Sequence, residues 1–138
     1  MTSFDEWVIG TKTPWGLTPH GALLALLDCV FYAASVHGRQ FAGKPACAVT
    51  TLWRAGSTSA LDELSRYFTF SGMPVASSTY WNMMLNSGDD SFGEDTLRQL
   101  GENMACLVKA TRAWFPDGPH LEIIDLANAC SSAGVCCM

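Results

Sequence analysis

The chain has little charge of either sign. Charged residues make up 15% of its 138 residues, compared with about 25% in a typical soluble domain. The eight lysines and arginines are scattered singly and the net charge is −5, so no basic patch is present that could neutralise the phosphates of a nucleic acid. Disordered chains are poor in apolar residues, whereas 49% of this chain is hydrophobic. The composition predicts a folded domain that does not bind nucleic acid.

Membrane and metal signatures are also missing from the sequence. The most apolar stretch, residues 22–34, contains Asp28 and is about a third too short to span a bilayer. The start of the chain is polar and acidic, unlike a signal peptide. None of the six cysteines forms a C-x-x-C pair, and the three histidines are widely separated. We therefore expect a soluble, cytoplasmic protein with reduced cysteines, no membrane segment and no metal site.

Alternating apolar segments predict an α/β fold. Strands are predicted at three apolar runs, residues 7–10, 46–51 and 73–77. Helices are predicted at residues 20–34, from a capping Ser59 onward, and at residues 95–115, with a polar surface loop over residues 86–94. Strands without polar alternation are typical of a parallel sheet with helices on both faces. The expected core comprises Val8, Ile9, Leu24, Leu27, Val49, Leu61, Leu64, Val75, Leu100, Met104 and Leu107.

Aromatic residues follow each predicted strand. Trp15 comes after the first strand, Trp53 after the second, and Tyr80 with Trp81 after the third. Ligands of open parallel sheets bind beyond the carboxyl ends of the strands, and a flat ring system would suit these side chains. Trp and Tyr are also favoured in subunit interfaces, so the residue pattern leaves both interpretations open. The sequence contains no glycine-rich dinucleotide or phosphate motif, and we assign no catalytic residue.

Two motifs carry a family resemblance. Residues 75–83, V-A-S-S-T-Y-W-N-M, resemble the V-x-S-S-x-Y-W-N-M signature of flavodoxin-like NADPH-dependent FMN reductases, and residues 97–105, L-R-Q-L-G-E-N-M-A, resemble that family's L-x-x-L-G-x-N-M-A helix. The resemblance covers Asp5 to Lys109 and starts at the family's third strand, without its phosphate-binding loop. It implies a flavodoxin-like domain over residues 1–115, with a truncated parallel sheet and helices on both faces. A tail, residues 116–138, would follow.

The resemblance further implies an oxidoreductase of the flavin or quinone reductase type. A hydride would pass from NAD(P)H through FMN to an acceptor. The loop at residues 10–16 keeps only a glycine, a hydroxyl and one aromatic of the family's G-S-P-V-Y-Y sequence. By resemblance, ten residues would contact the flavin: Thr11, Lys12, Thr13, Trp15, Thr51, Trp53, Arg54, Gly56, Tyr80 and Trp81.

A second hypothesis is a non-catalytic relative that acts as an interaction or oligomerisation module. Without the phosphate loop, FMN would lose charge-assisted contacts worth about 1.5–3 kcal/mol each. We expect a homo-oligomer, or association with a separate chain that supplies the missing part, instead of a stable monomer. The first predicted strand would present an unpaired edge, and the helix that follows is apolar nearly all round.

Overall fold

The computed structural model describes residues 6–13, 18–86 and 88–114. Strands and helices alternate along these residues in the order β1 (Trp7–Lys12), α1 (Gly21–Val36), β2 (Ala46–Leu52), α2 (Ser57–Phe70), β3 (Met83–Leu85) and α3 (Ser91–Trp114). The strands form one sheet in the order β1-β2-β3, and both pairings are parallel. The predicted α/β fold with a parallel sheet is confirmed. None of the described helices is long and apolar enough to cross a membrane.

The register brings the carboxyl ends of the strands to one edge of the sheet. Trp7 pairs with Ala46 and Lys12 with Thr51, while β3 joins the last part of β2, from Thr50 onward. The loops that follow the strands therefore meet at this carboxyl edge, where the ligands of open α/β sheets bind.

Helices α1 and α2 cover one face of the sheet with a core rich in aromatic rings. Ile9, Ala46 and Ala48 face these helices and are buried. Leu64 and Phe68 of α2 are fully buried against them. Small side chains on β2 let the helices approach the sheet closely enough to exclude water.

Helix α3 covers the opposite face, but only in part. Its Leu100, Met104 and Val108 pack with Cys47 of β2 and are buried, as the helical spacing predicts. Val8 lies on the same side of β1 and is 60% exposed. Helix α3 therefore leaves the corresponding face of β1 uncovered.

The third strand lies later in the chain than the sequence predicts. Residues 73–77 contribute one parallel bridge, between Val75 and Ala46, and the strand itself is Met83–Leu85. Just before the strand, the side chain of Asn82 adds one hydrogen bond to β2, in which its Nδ2 donates to the carbonyl of Ala48 at 3.1 Å. The backbone of residues 77–81 thereby leaves the sheet before rejoining it.

Three smaller expectations also need correction. Val8 is exposed because α3 does not extend over β1. Val75 is 40% exposed because an open cavity lies between it and Leu61 and Ser65 of α2. Helix α2 begins at Ser57, and its capping residue is Gly56 in the left-handed region, φ 94°, without a side-chain cap. Helix α3 begins at Ser91, inside the segment predicted to be a loop. Of the other expected core residues, six are buried and three are half-buried; the half-buried residues are Leu24, Val49 and Leu107.

Candidate functional site

Two threonines attach the carboxyl end of β1 to neighbouring backbone. Thr13 is buried; its N–H donates to the carbonyl of Thr51 at 3.1 Å, and its hydroxyl donates to the carbonyl of Ala55 at 3.2 Å. The Thr11 hydroxyl accepts the N–H of His20 at 3.4 Å, just before α1. These threonines hold the loops in place, and their hydroxyls are engaged with the backbone.

The loop between β2 and α2 presents the most exposed ring of the described edge. Trp53 is 81% exposed and Arg54 is also exposed. Gly56 ends this loop in a left-handed conformation that residues with a side chain rarely adopt. A flat ring and a cation are thus displayed side by side on a short, conformationally fixed loop.

Lys12 and Thr51 lie on the α3 side of the sheet, beside an open cavity. The cavity has a volume of about 290 Å³ and is lined by Gly10, Thr11, Lys12, Val49, Thr50, Thr51 and Leu97. The Thr50 hydroxyl is buried and has no hydrogen-bond partner in the described part of the chain. A buried hydroxyl without a partner is uncommon; Thr50 shares the α1–α2 face of β2 with Ala46 and Ala48, whereas Thr51 is on the α3 side.

Tyr80 and Trp81 do not share this cavity. They precede β3 instead of following it, because the third strand starts at Met83. They line a smaller cavity of about 130 Å³ on the other side, together with Leu61 and Asp62 of α2. The two cavities have no lining residue in common. The predicted site residues are therefore divided between two places, and Trp15 lies outside the described residues.

Comparison of the sequence with known protein families shows to which family the chain belongs. Residues 1–86, which include β1 to β3, match the family of NADPH-dependent FMN reductases. The chain belongs to this family. No curated protein matches the chain. The fold of this FMN reductase family member is flavodoxin-like, as the resemblance implied.

Three polar residues that the sequence did not single out position the Tyr80–Trp81 segment of this family member. The Ser78 hydroxyl donates to Asn82 Oδ1 at 2.7 Å, and Asn82 also contacts β2. Asn103 Nδ2 on α3 donates to the carbonyl of Ser77 at 2.7 Å. These residues belong to the two motifs, so their presence in the motifs was the available signal. The two motifs are joined by a hydrogen bond in space.

Near Tyr80, Phe92 adds a ring contact and Asp90 adds two hydrogen bonds to the backbone. The ring of Phe92 packs edge-on against that of Tyr80, with centroids 5.5 Å apart. Asp90 accepts the N–H of Leu85 at 2.7 Å and that of Gly93 at 2.9 Å. These two N–H groups lower the pKa of the Asp90 carboxyl from its ordinary value. An ionised Asp90 therefore closes the turn from β3 to α3.

Metal ligation is not supported within residues 6–13, 18–86 and 88–114. No cluster of three or more histidine, cysteine or acidic side chains occurs there that could hold an ion. The exposed side chains at the carboxyl edge include the ring of Trp53, the guanidinium of Arg54 and Thr51.

Proposed function

We propose that the chain is an FMN-dependent NAD(P)H oxidoreductase, in which a hydride passes from the nicotinamide through the flavin to an acceptor. The observation that carries this proposal is the family match of residues 1–86. That segment builds β1, β2 and β3. It therefore also builds the carboxyl edge, where such a cofactor is expected.

The donor set of this edge suits the isoalloxazine ring of FMN. The ring is flat and is bordered by carbonyl oxygens and nitrogens that accept hydrogen bonds. Trp53 offers an exposed flat surface, and Arg54 with the exposed Thr51 hydroxyl offers donors. The guanidinium would also stabilise negative charge that develops on the ring carbonyls. When bound, the flavin supplies the hydride-transfer chemistry, and the protein orients it.

The role of Trp53 is tested by titrating the chain with FMN and following the quenching of flavin fluorescence. A stacked aromatic contact is worth about 0.5–1.5 kcal/mol, so Trp53→Ala should weaken FMN binding about two- to tenfold. Phe70→Ala is the matched control, because Phe70 is 80% exposed but ends α2 at the opposite edge. Equal affinities of the two variants would contradict the assignment of Trp53.

Trp81→Ala tests the contribution of the smaller cavity. If the flavin reaches Tyr80 and Trp81, this variant should lose about 1 kcal/mol of flavin affinity, the scale of a stacked aromatic contact. Unchanged affinity would make Trp81 a structural residue. Consumption of NADPH in the presence of FMN, followed by its absorbance, then tests the proposed reaction itself.

A second candidate function, an oligomerisation module, is favoured by the surface of α1. The apolar side chains of Leu26, Tyr32 and Val36 are exposed on this helix. We propose that the chain forms a homo-oligomer through α1, whether or not it binds flavin. Leu26→Glu should shift sedimentation at micromolar concentration toward the monomer. A wild-type chain that is already monomeric would refute this assembly, and self-association without FMN binding would favour the module over the enzyme.

We also propose that the protein is cytoplasmic. Cys29, Cys47 and Cys106 are free thiols in the structure, which supports a reducing compartment.

A further inference from the structure

The smaller cavity, beside α2, has an aromatic wall. Its volume is about 130 Å³, and it is lined by Tyr80 and Trp81. Both side chains are about half exposed, so part of each ring is left for contact with a ligand. A cavity of this size holds about four water molecules and is smaller than the roughly 300–1,000 Å³ typical of pockets for larger ligands. It therefore suits a small organic group, and not a whole nucleotide.

The floor of this cavity is apolar. It consists of Ala48 on β2, Leu61 on α2 and Ala76, all of which line the cavity and are buried. None of these side chains can form a hydrogen bond, and a polar group that is buried without a partner costs free energy. A ligand that enters the cavity must therefore present apolar atoms to its floor.

One carboxylate lies at the same cavity. Asp62 on α2 is exposed and is the one charged side chain among the lining residues. Its carboxylate makes no hydrogen bond or ion pair with any residue in the described part of the chain. Arg66 follows one helical turn later, at a spacing that permits pairing, yet the two side chains are not paired. The negative charge of Asp62 is therefore available to a ligand.

Contacts within the chain hold the aromatic wall in place. Asn82 attaches the wall segment to β2, and Asn103 attaches it to α3. The ring of Phe92 packs edge-on against that of Tyr80. Because the segment is already fixed by these contacts, a ligand loses less free energy to the ordering of its site.

A methylated ammonium ion matches all three features of the cavity. The faces of aromatic rings attract cations, and the carboxylate of Asp62 attracts them as well. In a methylated ammonium ion the charge is surrounded by apolar methyl groups, which suit the floor. A primary ammonium instead carries three N–H donors that need acceptors. The net charge of −5 further favours the approach of a cation.

We propose that this cavity binds the methylated ammonium group of a small organic cation. The charge lies between Asp62 and the rings of Tyr80 and Trp81, and the methyl groups lie on the apolar floor. The site is separate from the cavity at the carboxyl edge, with which it shares no lining residue. Binding of the cation does not require a flavin.

Titration of the ¹⁵N-labelled full chain with choline, followed by NMR without added flavin, tests the proposal. The chain has five tryptophans, and the indole signals of Trp81 and Trp53 are identified by their loss in Trp81→Ala and Trp53→Ala. Choline should shift the Trp81 signal in a saturable way and leave the Trp53 signal unshifted. Trp53 is an internal control, because it is 81% exposed but is followed by the cation Arg54.

Two analogues of choline separate the contributions to binding. Dimethylbutanol, the neutral carbon analogue, keeps the shape and loses the charge, so it should bind about tenfold more weakly or worse. Ethanolamine keeps the charge and loses the methyl groups, so it should also bind several times more weakly. Equally tight binding of either analogue would overturn the proposal.

A pair of matched variants tests the carboxylate. Asp62→Asn should weaken choline binding about two- to fivefold. Glu63→Gln removes the same charge from the next position of α2 and should leave the affinity unchanged, because Glu63 lies near Tyr67 and does not line the cavity. The NMR spectra also show that the variants fold, which is expected for Asp62→Asn because Asp62 is exposed.

Two further results would overturn the proposal. Shifts of equal size at Trp53 and Trp81 would show that choline associates with any exposed ring. An unchanged affinity in Asp62→Asn would show that the carboxylate takes no part. Since the titration contains no flavin, either result leaves the proposed FMN-dependent reaction to its own tests.

Discussion

The two faces of the sheet are stabilised in different ways. On the α1–α2 face, Phe31 stands at the centre of an aromatic cluster. Its ring centroid lies within 6.2 Å of four other rings, those of Trp7, Phe41, Tyr67 and Phe68. On the α3 face the buried cluster formed by the described residues comprises Cys47, Ala76, Leu100, Met104 and Val108, none of which is aromatic. The first face depends on the burial of large rings and the second on smaller side chains.

On the α3 side, near the third strand, side-chain hydrogen bonds add to the packing of these smaller side chains. Asn103 attaches α3 to Ser77, and Asn82 attaches the same segment to β2. Apolar burial tolerates many exchanges of similar volume, whereas an amide must reach one particular carbonyl. The structure of the α1–α2 face therefore depends mainly on the volume of its buried side chains, whereas that of the α3 side depends more on a few hydrogen bonds.

The largest effect is expected from removal of a buried ring. Phe68 is fully buried, so Phe68→Ala should lower the free energy of unfolding by about 3–5 kcal/mol. Met104→Ala is the counterpart on the other face and should cost about 2 kcal/mol, since half-buried neighbours such as Leu97 can relax into the space. Urea unfolding at equilibrium measures both. Equal losses would show that the faces are equally well packed.

The sequence predicts those strands and helices that are marked by the spacing of their own apolar residues. The apolar runs of β1 and β2 and the spacing of Leu100, Met104 and Val108 each follow from the side-chain period of the element that contains them. The prediction that Val8 is buried is wrong. A continuous apolar run is typical of a strand with helices on both faces, but α3 does not extend over β1.

The third strand could not be located from its own residues. Met83–Leu85 contains no β-branched residue and spans three positions, whereas Val75 lies in a run that looks more like a strand. Pairing with β2 decides between them, and pairing is a property of the whole sheet. Tyr80 and Trp81 lie between residues 73–77 and Met83–Leu85. The sequence therefore predicts that they follow the third strand, whereas in the structure they precede it.

A smaller effect is expected from removal of a buried amide. Asn82 is buried and its side chain joins Ser78 to the carbonyl of Ala48. Asn82→Ala should lower the free energy of unfolding by about 1–3 kcal/mol, because the Ala48 carbonyl is left without its partner. Thermal unfolding followed by circular dichroism measures the loss. A neutral substitution would show that packing alone holds this segment, as on the α1–α2 face.

Substitution of a glycine by alanine should destabilise the protein at Gly93, in the first turn of α3, but not at Gly101, further along the same helix. A Cβ at Gly93 would overlap Oδ2 of Asp90, so Gly93→Ala should displace that carboxylate from the N–H groups of Leu85 and Gly93 and lower the melting temperature. Gly101→Ala, in the same helix, meets open space and should be neutral or stabilising by up to about 1 kcal/mol. A loss of similar size at both positions would contradict the role of the Asp90 turn.

The last prediction concerns the thiol of Cys47, whose ionisation reports whether water reaches the α3 face. Burial raises the pKa of Cys47 from 9.0 to about 11. Because the folded thiol ionises later than the unfolded one, its contribution to stability is complete below pH 9 and is lost as pH rises from 9 to about 11. The decline in unfolding free energy over this range should therefore be steeper in the wild type than in Cys47→Ala. At pH 8, iodoacetamide should modify the exposed Cys29 and Cys106 but leave Cys47 unmodified, as peptide mass spectrometry can show. Rapid modification of Cys47 would mean that the α3 face opens readily to water and differs from the α1–α2 face even more than its packing indicates.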